Sequence, residues 1–468
     1  MKYVSTRGNA RDLTFKEALL TGLASDGGLY VPDVWPRFTP EEIAGFRGRP
    51  YVEVVLAVME KFTGGEIARD DLKQMIEDAY AGFTHPAITP LVQLGPNDWL
   101  LELFHGPTLA FKDLAMQILA RLIDHVLAEK GERLTIVGAT SGDTGGAALA
   151  AFLESKRVNV FFMYPDGKVS EFQRRQMTTL NANNCHAIAL DGSFDDCQNL
   201  VKALFARPDL REGFNLSAVN SINWGRIMAQ VVYYFTAATA LGAPDRKVSF
   251  CVPTGNFGDI YAGYVAHLMG LPIDRLVIAN NENDILTRTL STGDHALRDV
   301  VATNTPSMDI QISSNFERLL FEASGRDATL VARLMADLAS GAAYQLPQVL
   351  RDTIGEIFDA GRATQAEASA RILACYAETG YLCDPHTAVA LHVAEQFNDG
   401  QTPMITLSTA HPIKFSETVQ QATGRVAELP PGQQDRETLL EQVTKLPNDL
   451  ETLARFIRRN SSAMPASA

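Results

Sequence analysis

The sequence predicts an α/β fold of open, mostly parallel sheets, preceded by a mostly helical N-terminal domain. Three observations carry that expectation. From about residue 90 onward, short apolar runs alternate with segments of helical period, the pattern of βαβ units. Residues 1 to about 85 carry helix signals and lack long strands. Two glycine-rich loops each join a predicted strand to a predicted helix, the position at which open α/β sheets place their ligands. The expected division is a helical domain over 1–88 and an α/β region of two subdomains over 89–468.

The elements follow in order. Thr14 is a helix cap for 15–20. Thr39-Pro40-Glu41-Glu42-Ile43 has the form of a cap, a proline at the first helical position and an acidic first turn. Further helices are expected over 51–62 and 69–80. A buried strand is read over 99–104, and a helix over 113–130 from the spacing of Leu114, Ile118, Leu119, Leu122, Ile123, Val126 and Leu127. Gly106 and Pro107 punctuate the turn between them. Strands are then expected over 134–138, 158–163, 185–190, 248–252, 276–279 and 404–407. Small-residue and apolar helices follow the first and fourth of these, the latter over 259–269. The stretch 320–373 reads as helical. A loop at 430–434 and a frayed tail at 461–468 are the only biased segments.

The chain has 468 residues, 46% hydrophobic and 21% charged, with a net charge of −14. The acidic balance argues against a nucleic-acid binder, which carries a basic face. No run approaches the ~18 apolar residues of a membrane span, and residues 1–10 hold no apolar signal core. Five scattered cysteines without a C-x-x-C pair read as reduced thiols, so a cytoplasmic location is expected. The nine histidines show no metal-ligand spacing, and no G-x-S-x-G elbow is present.

Candidate chemistry sits in five segments. Lys112, in His105-Gly106-Pro107-Thr108-Leu109-Ala110-Phe111-Lys112-Asp113, lies where an apolar strand gives way to an apolar helix. Burial favours the neutral amine, the form that joins carbonyls, as a lysine does in holding pyridoxal phosphate. The alternative is an exposed lysine in a first helical turn. The loops Thr140-Ser141-Gly142-Asp143-Thr144-Gly145-Gly146 and Pro253-Thr254-Gly255-Asn256-Phe257-Gly258-Asp259 suit phosphate or carboxylate at a helix N-terminus. Neither is a Walker or dinucleotide loop. Asn220-Ser221-Ile222-Asn223-Trp224-Gly225-Arg226 offers amide, hydroxyl and guanidinium donors, or else a polar helix cap. Ser408-Thr409-Ala410-His411-Pro412 is a polar strand exit. The basic pair in Phe172-Gln173-Arg174-Arg175-Gln176 reads as a solvated helix face.

Together with Met1-Lys2-Tyr3-Val4-Ser5-Thr6-Arg7-Gly8, these segments resemble, in order, the threonine synthases, within the fold type II (tryptophan synthase β-like) pyridoxal-phosphate enzymes. Asp143 departs from the asparagine found in many fold type II relatives, which leaves the contact to the cofactor's 3-hydroxyl unassigned. The resemblance implies a carbon–oxygen lyase of threonine biosynthesis. It would eliminate phosphate from O-phospho-L-homoserine and add water to give L-threonine. A paralogue releasing 2-oxobutyrate and ammonia is the alternative. Lys112 matches the cofactor-bearing lysine, and Gly255, Asn256, Phe257 and Gly258 match the cofactor-phosphate loop. Thr409 matches the hydroxyl at the pyridine nitrogen. Ser141 and Thr144 are implied for an anionic end of the substrate, and Asn220, Ser221 and Arg226 for its phosphate. No metal is implied, and monomer and homodimer are both compatible with the sequence.

Overall fold

Continuous apolar runs become buried parallel strands in two sheets. The structure, a computed structural model, describes residues 1–461 except 154, 220, 431–432 and 434–437. Of the sequence expectations, Asn220 and most of the predicted loop at 430–434 and tail at 461–468 lie outside the described residues.

The chain divides into two units. One comprises Met1–Glu77, His85–His105 and Ser221–Ala427, and the other Asp78–Thr84, Gly106–Asn220 and Glu428–Ala468. The first unit holds a six-stranded sheet in the order Phe358–Arg362, Ile273–Asn280, Val248–Pro253, Met404–Ser408, Asp98–Glu102, Leu91–Gln93. All neighbours are parallel except the last pair. The second unit holds a parallel five-stranded sheet in the order Thr444–Leu446, Cys185–Leu190, Val158–Pro165, Leu134–Ala139, Leu216–Ser217. Every residue of Val158–Pro165 is buried, which is why, Asn159 apart, its sequence reads as a nearly continuous apolar run.

The N-terminal helices follow their caps. Thr14 with Glu17, and Thr39 with Glu42, form reciprocal capping boxes at Phe15–Thr21 and Pro40–Ala44. Tyr51–Thr63 and Arg69–Tyr80 are helical as expected. Two helices run through unit interiors. Lys112–Lys130 buries residues on all sides, as does Trp224–Ala240, and a helix apolar all round must be covered all round.

One expectation is corrected. The stretch 320–373 is not wholly helical, because it contains the strand Phe358–Arg362, parallel to Leu276–Asn280. The run Phe-Asp-Ala-Gly-Arg has no apolar alternation because it forms the sheet edge. There Arg275 Nε pairs with Asp359 Oδ2 at 2.5 Å. Sequence reading also missed the short strands Leu91–Gln93, Leu216–Ser217 and Thr444–Leu446, whose residues are half-buried or exposed. The five cysteines are free and buried. No described helix is long and apolar enough to cross a membrane.

Candidate active site

In the second unit the lysine opens its helix. Asp113 organises the turn before it, accepting from the Thr108 amide at 2.7 Å and the Thr108 hydroxyl at 2.6 Å. A Cβ on Gly106 would fall 2.5 Å from Asp113 Cβ, so glycine is needed where the turn crosses that side chain. Lys112 is therefore buried, not an exposed first-turn lysine, with its Nζ 3.7 Å from Asp143 Oδ2 and 4.5 Å from the Phe111 ring centroid.

Asp143 begins the helix Asp143–Ala151, immediately after Ala139 ends its strand and the loop turns. The Thr140 hydroxyl accepts from the amides of Gly142 and Gly145, at 3.0 and 2.9 Å, and so shapes that loop. Gly142 has φ 138°, and a Cβ there would meet Gln173 at 2.6 Å. Gln173 Nε2 donates to Asp143 Oδ1 at 2.8 Å, which fixes the carboxylate beside the lysine. Ser141 is exposed on that loop, and Thr144 is half-buried in the first turn of the helix.

The segment 172–176 is not a solvated face. Gln173 and Gln176 are buried, and Gln176 Nε2 donates to the Thr108 carbonyl at 2.9 Å. Arg175 Nη1 meets Glu441 Oε1 at 3.0 Å, Arg174 Nη1 bonds Glu441 Oε2, and the Thr178 hydroxyl donates to Oε2 at 2.6 Å. The adjacent arginines hid the two glutamines from sequence reading.

In the first unit, Val248–Pro253 and Met404–Ser408 are parallel neighbours, so their carboxyl ends lie at one edge of the sheet. The loop after Pro253 has its carbonyls engaged. Gly255 O accepts from the Ser313 hydroxyl at 2.6 Å, and Asn256 O accepts from the Asn315 backbone amide at 3.1 Å and Asn315 Nδ2 at 2.9 Å. The amides of Gly255, Asn256, Phe257 and Gly258 have no acceptor among the described residues. Phe257, at φ 62°, leads into the helix Gly258–Leu268, adding a helix N-terminus to those free donors. Ser221 is tied to this loop, its carbonyl accepting from Asn315 Nδ2 at 3.2 Å and its hydroxyl lying 3.1 Å from that of Ser314.

At the other strand end Thr409 is 6% exposed, and its hydroxyl makes no hydrogen bond among the described residues. Beside it in the sheet, Glu102 Oε2 lies 2.7 Å from His105 Nε2, and Tyr381 donates to Oε1 at 2.7 Å. Burial alone would raise the Glu102 carboxyl, but these two hydrogen bonds, together with the nearby His105 and His85, hold the group below the ordinary range. Burial pushes His411 down to about 4. Asn223 caps the helix Trp224–Ala240, as the polar-cap reading allowed. Arg226 is buried in the first turn of that helix. Its guanidinium finds no acceptor among the described residues, and burial pushes it down to about 10.

Taken unit by unit, these donors suit parts of pyridoxal phosphate: a buried amine in the second unit, and in the first a loop of amides suited to a phosphate and a hydroxyl suited to a ring nitrogen, neither with a partner among the described residues. Comparison with known proteins decides the family. "Pyridoxal-phosphate dependent enzyme" matches residues 83–408, "Threonine synthase N terminus" residues 2–80, and "Threonine synthase, C-terminal" residues 387–457. Threonine synthase of Pseudomonas aeruginosa is 49% identical, over 99% of both chains. The chain belongs to the threonine synthase family. The solved pyridoxal-phosphate-bound threonine synthase of Brucella melitensis superposes with a TM-score of 0.98 at 54% identity, covering 99% of this chain and all of that one. The yeast threonine synthase structure gives 0.93 at 36%, covering 98% of each. Like other threonine synthases, this is a fold type II pyridoxal-phosphate-dependent lyase that acts on a small molecule.

Two features of the site were not legible in the sequence. Gln173 was masked by its basic neighbours. Ser313 and Asn315 sit in a segment whose only local signal is a polar helix start.

Proposed function

We propose that this chain converts O-phospho-L-homoserine and water into L-threonine and inorganic phosphate in the cytoplasm. The bond from Cγ to the phosphate oxygen breaks and a hydroxyl forms at Cβ, so the net change is neither oxidation nor reduction. The observation that carries the reading is the buried Lys112 amine, held at 3.7 Å from the Asp143 carboxylate at the head of its helix. Residues 89–468 form the catalytic region in this reading, and residues 1–88 a helical N-terminal domain.

Pyridoxal phosphate, when bound, supplies an electron sink for the pairs left as protons depart from Cα and then Cβ. Lys112 would carry the cofactor, and its freed amine would take the proton from Cα and return it at the end. Asp143, oriented by Gln173, offsets the positive charge on Lys112 when the amine holds that proton. The amides of Gly255, Asn256, Phe257 and Gly258 hold the cofactor phosphate. Thr409 serves the ring nitrogen with a hydroxyl, which fixes no proton there as a carboxylate would. Ser141 and Thr144 hold an anionic end of the substrate. Asn220, Ser221 and Arg226 hold its phosphate, a role supported by the Arg226 guanidinium, which has no acceptor among the described residues.

Product analysis tests the reading. Incubation with O-phospho-L-homoserine should yield threonine and phosphate in equal amounts, and 2-oxobutyrate with ammonia in place of threonine would overturn it. Lys112→Ala should lose both turnover and the visible absorption of the cofactor-loaded protein.

A further inference from the structure

Behind the 255–258 loop lies a charge that the proposed reaction does not use. Arg318, in the helix Phe316–Ala323, is fully buried. Its Nε and Nη2 donate to the Tyr30 carbonyl at 3.2 and 2.9 Å, and Nη2 also donates to the Ile222 carbonyl at 2.7 Å. Its Nη1 donates to Asn315 Oδ1. All these acceptors are neutral. The adjacent Glu317 is engaged elsewhere, accepting two bonds from Arg7 at 2.9 Å and one from the Thr6 hydroxyl at 2.6 Å. Burial pushes Arg318 down to about 10, so it stays charged at neutral pH. Glu317 offsets part of that burial cost without bonding to the guanidinium, and a further anion nearby would offset more.

The geometry of Asn315 shows what that charge does. A guanidinium can only donate, so it fixes which end of the Asn315 amide is oxygen. Nδ2 is then directed to Asn256 O and Ser221 O. In a trans peptide the carbonyl and the following N–H point in opposite directions. Holding Asn256 O on the Asn315 side therefore turns the Phe257 N–H to the opposite side. Ser313 does the same for the Asn256 N–H by holding Gly255 O.

We propose that Arg318 is a positioning residue and the buried cation of the anion cradle. It acts through Asn315 to aim the loop amides and to bias them towards a phosphate dianion. The inference rests on the reading of 255–258 as the cofactor-phosphate loop.

The test compares two ligands on the full-length chain freed of cofactor: pyridoxal 5′-phosphate and pyridoxal, which lacks the phosphate. The native chain should prefer the phosphorylated ligand. Arg318→Met should lower affinity for it by about tenfold or more while moving pyridoxal affinity by less than about threefold, and Arg318→Lys should restore part of the difference. If Arg318→Met does not fold, Asn315→Asp decides by the same ratio. It keeps an acceptor for the guanidinium but removes the amide donor, and it should show the same selective loss. Equal losses for both ligands, or no loss, would overturn the inference alone. A native chain that does not discriminate between the ligands would overturn the loop assignment with it.

Discussion

Replacing Gly255 with alanine should weaken cofactor binding without unfolding the protein. A Cβ at this position would lie 2.6 Å from the Ser307 carbonyl oxygen and 3.4 Å from Met308 Cα. The first distance is roughly 0.7 Å inside a comfortable C···O contact of about 3.3 Å. The obstacle is backbone, not the end of a side chain. Ser307 belongs to the single turn Pro306–Met308, held by the Met308 amide on the Thr305 carbonyl at 2.9 Å. The loop must therefore move, and it does so against the bond from Ser313 to Gly255 O. Overpacking of this kind costs about 1–3 kcal/mol. Taken out of binding, that is roughly a 5- to 150-fold loss of affinity. Titration of the cofactor-free Gly255→Ala chain with pyridoxal phosphate, followed by visible absorbance, measures it. An affinity within about twofold of native would refute the reasoning, because it would mean that the loop has slack the packing denies.

Three further outcomes are expected. Glu441→Gln should destabilise the protein by about 1–2 kcal/mol, because one carboxylate accepts from Arg174, Arg175 and Thr178. Hydrogen exchange should show the loss in Glu171–Thr178, and unchanged protection there would contradict it. Stability should fall with acid through His295, which is stacked against Tyr344 at 4.4 Å and pushed down by burial to about 4. The unfolded chain takes up the proton first, so stability is lost as pH drops from about 6.5 to about 4 and levels off below, by about 3 kcal/mol for this group. His411, also about 4, adds a step of the same sign. His295→Phe should remove only its own share of the slope in urea denaturation, and an unaltered slope would exclude this account. Gly106→Ala should disrupt the turn before Lys112, since its Cβ would press on Asp113. Normal cofactor retention would count against that reading.

The parts of this molecule legible in its sequence are those set by local rules. Parallel strands such as Cys185–Leu190 are buried on both faces and read as apolar runs, and Thr14 and Thr39 announce their helices through the glutamates three residues on. Lys112 and the loop 255–258 were visible as strand-to-helix junctions. What stayed hidden is long-range. Asn315 acts on Asn256, 59 residues away, and Gln173 on Asp143, 30 residues away. Nothing near either residue distinguishes it from an ordinary polar side chain. The strand Phe358–Arg362 was hidden for another reason: as a sheet edge it needs little apolar character.

The strand order of the six-stranded sheet bears on how the protein is made. Met404–Ser408 lies between Val248–Pro253 and Asp98–Glu102, with Ser408 opposite Glu102. Neither flank can complete its ladder until the strand that joins them has been synthesised. At about 5–20 residues per second, the edge of Asp98–Glu102 waits roughly 15–60 s on the ribosome for its partner. Throughout that interval it presents unpaired N–H and C=O groups above an apolar face, a template for pairing with other chains. Within Leu134–Leu190 the three long strands pair with one another in order of synthesis, and only the outer edge of Cys185–Leu190 waits for the short strand Thr444–Leu446. The long strands of the five-stranded sheet can thus pair early, whereas the six-stranded sheet keeps an interior edge open until Met404–Ser408 is made.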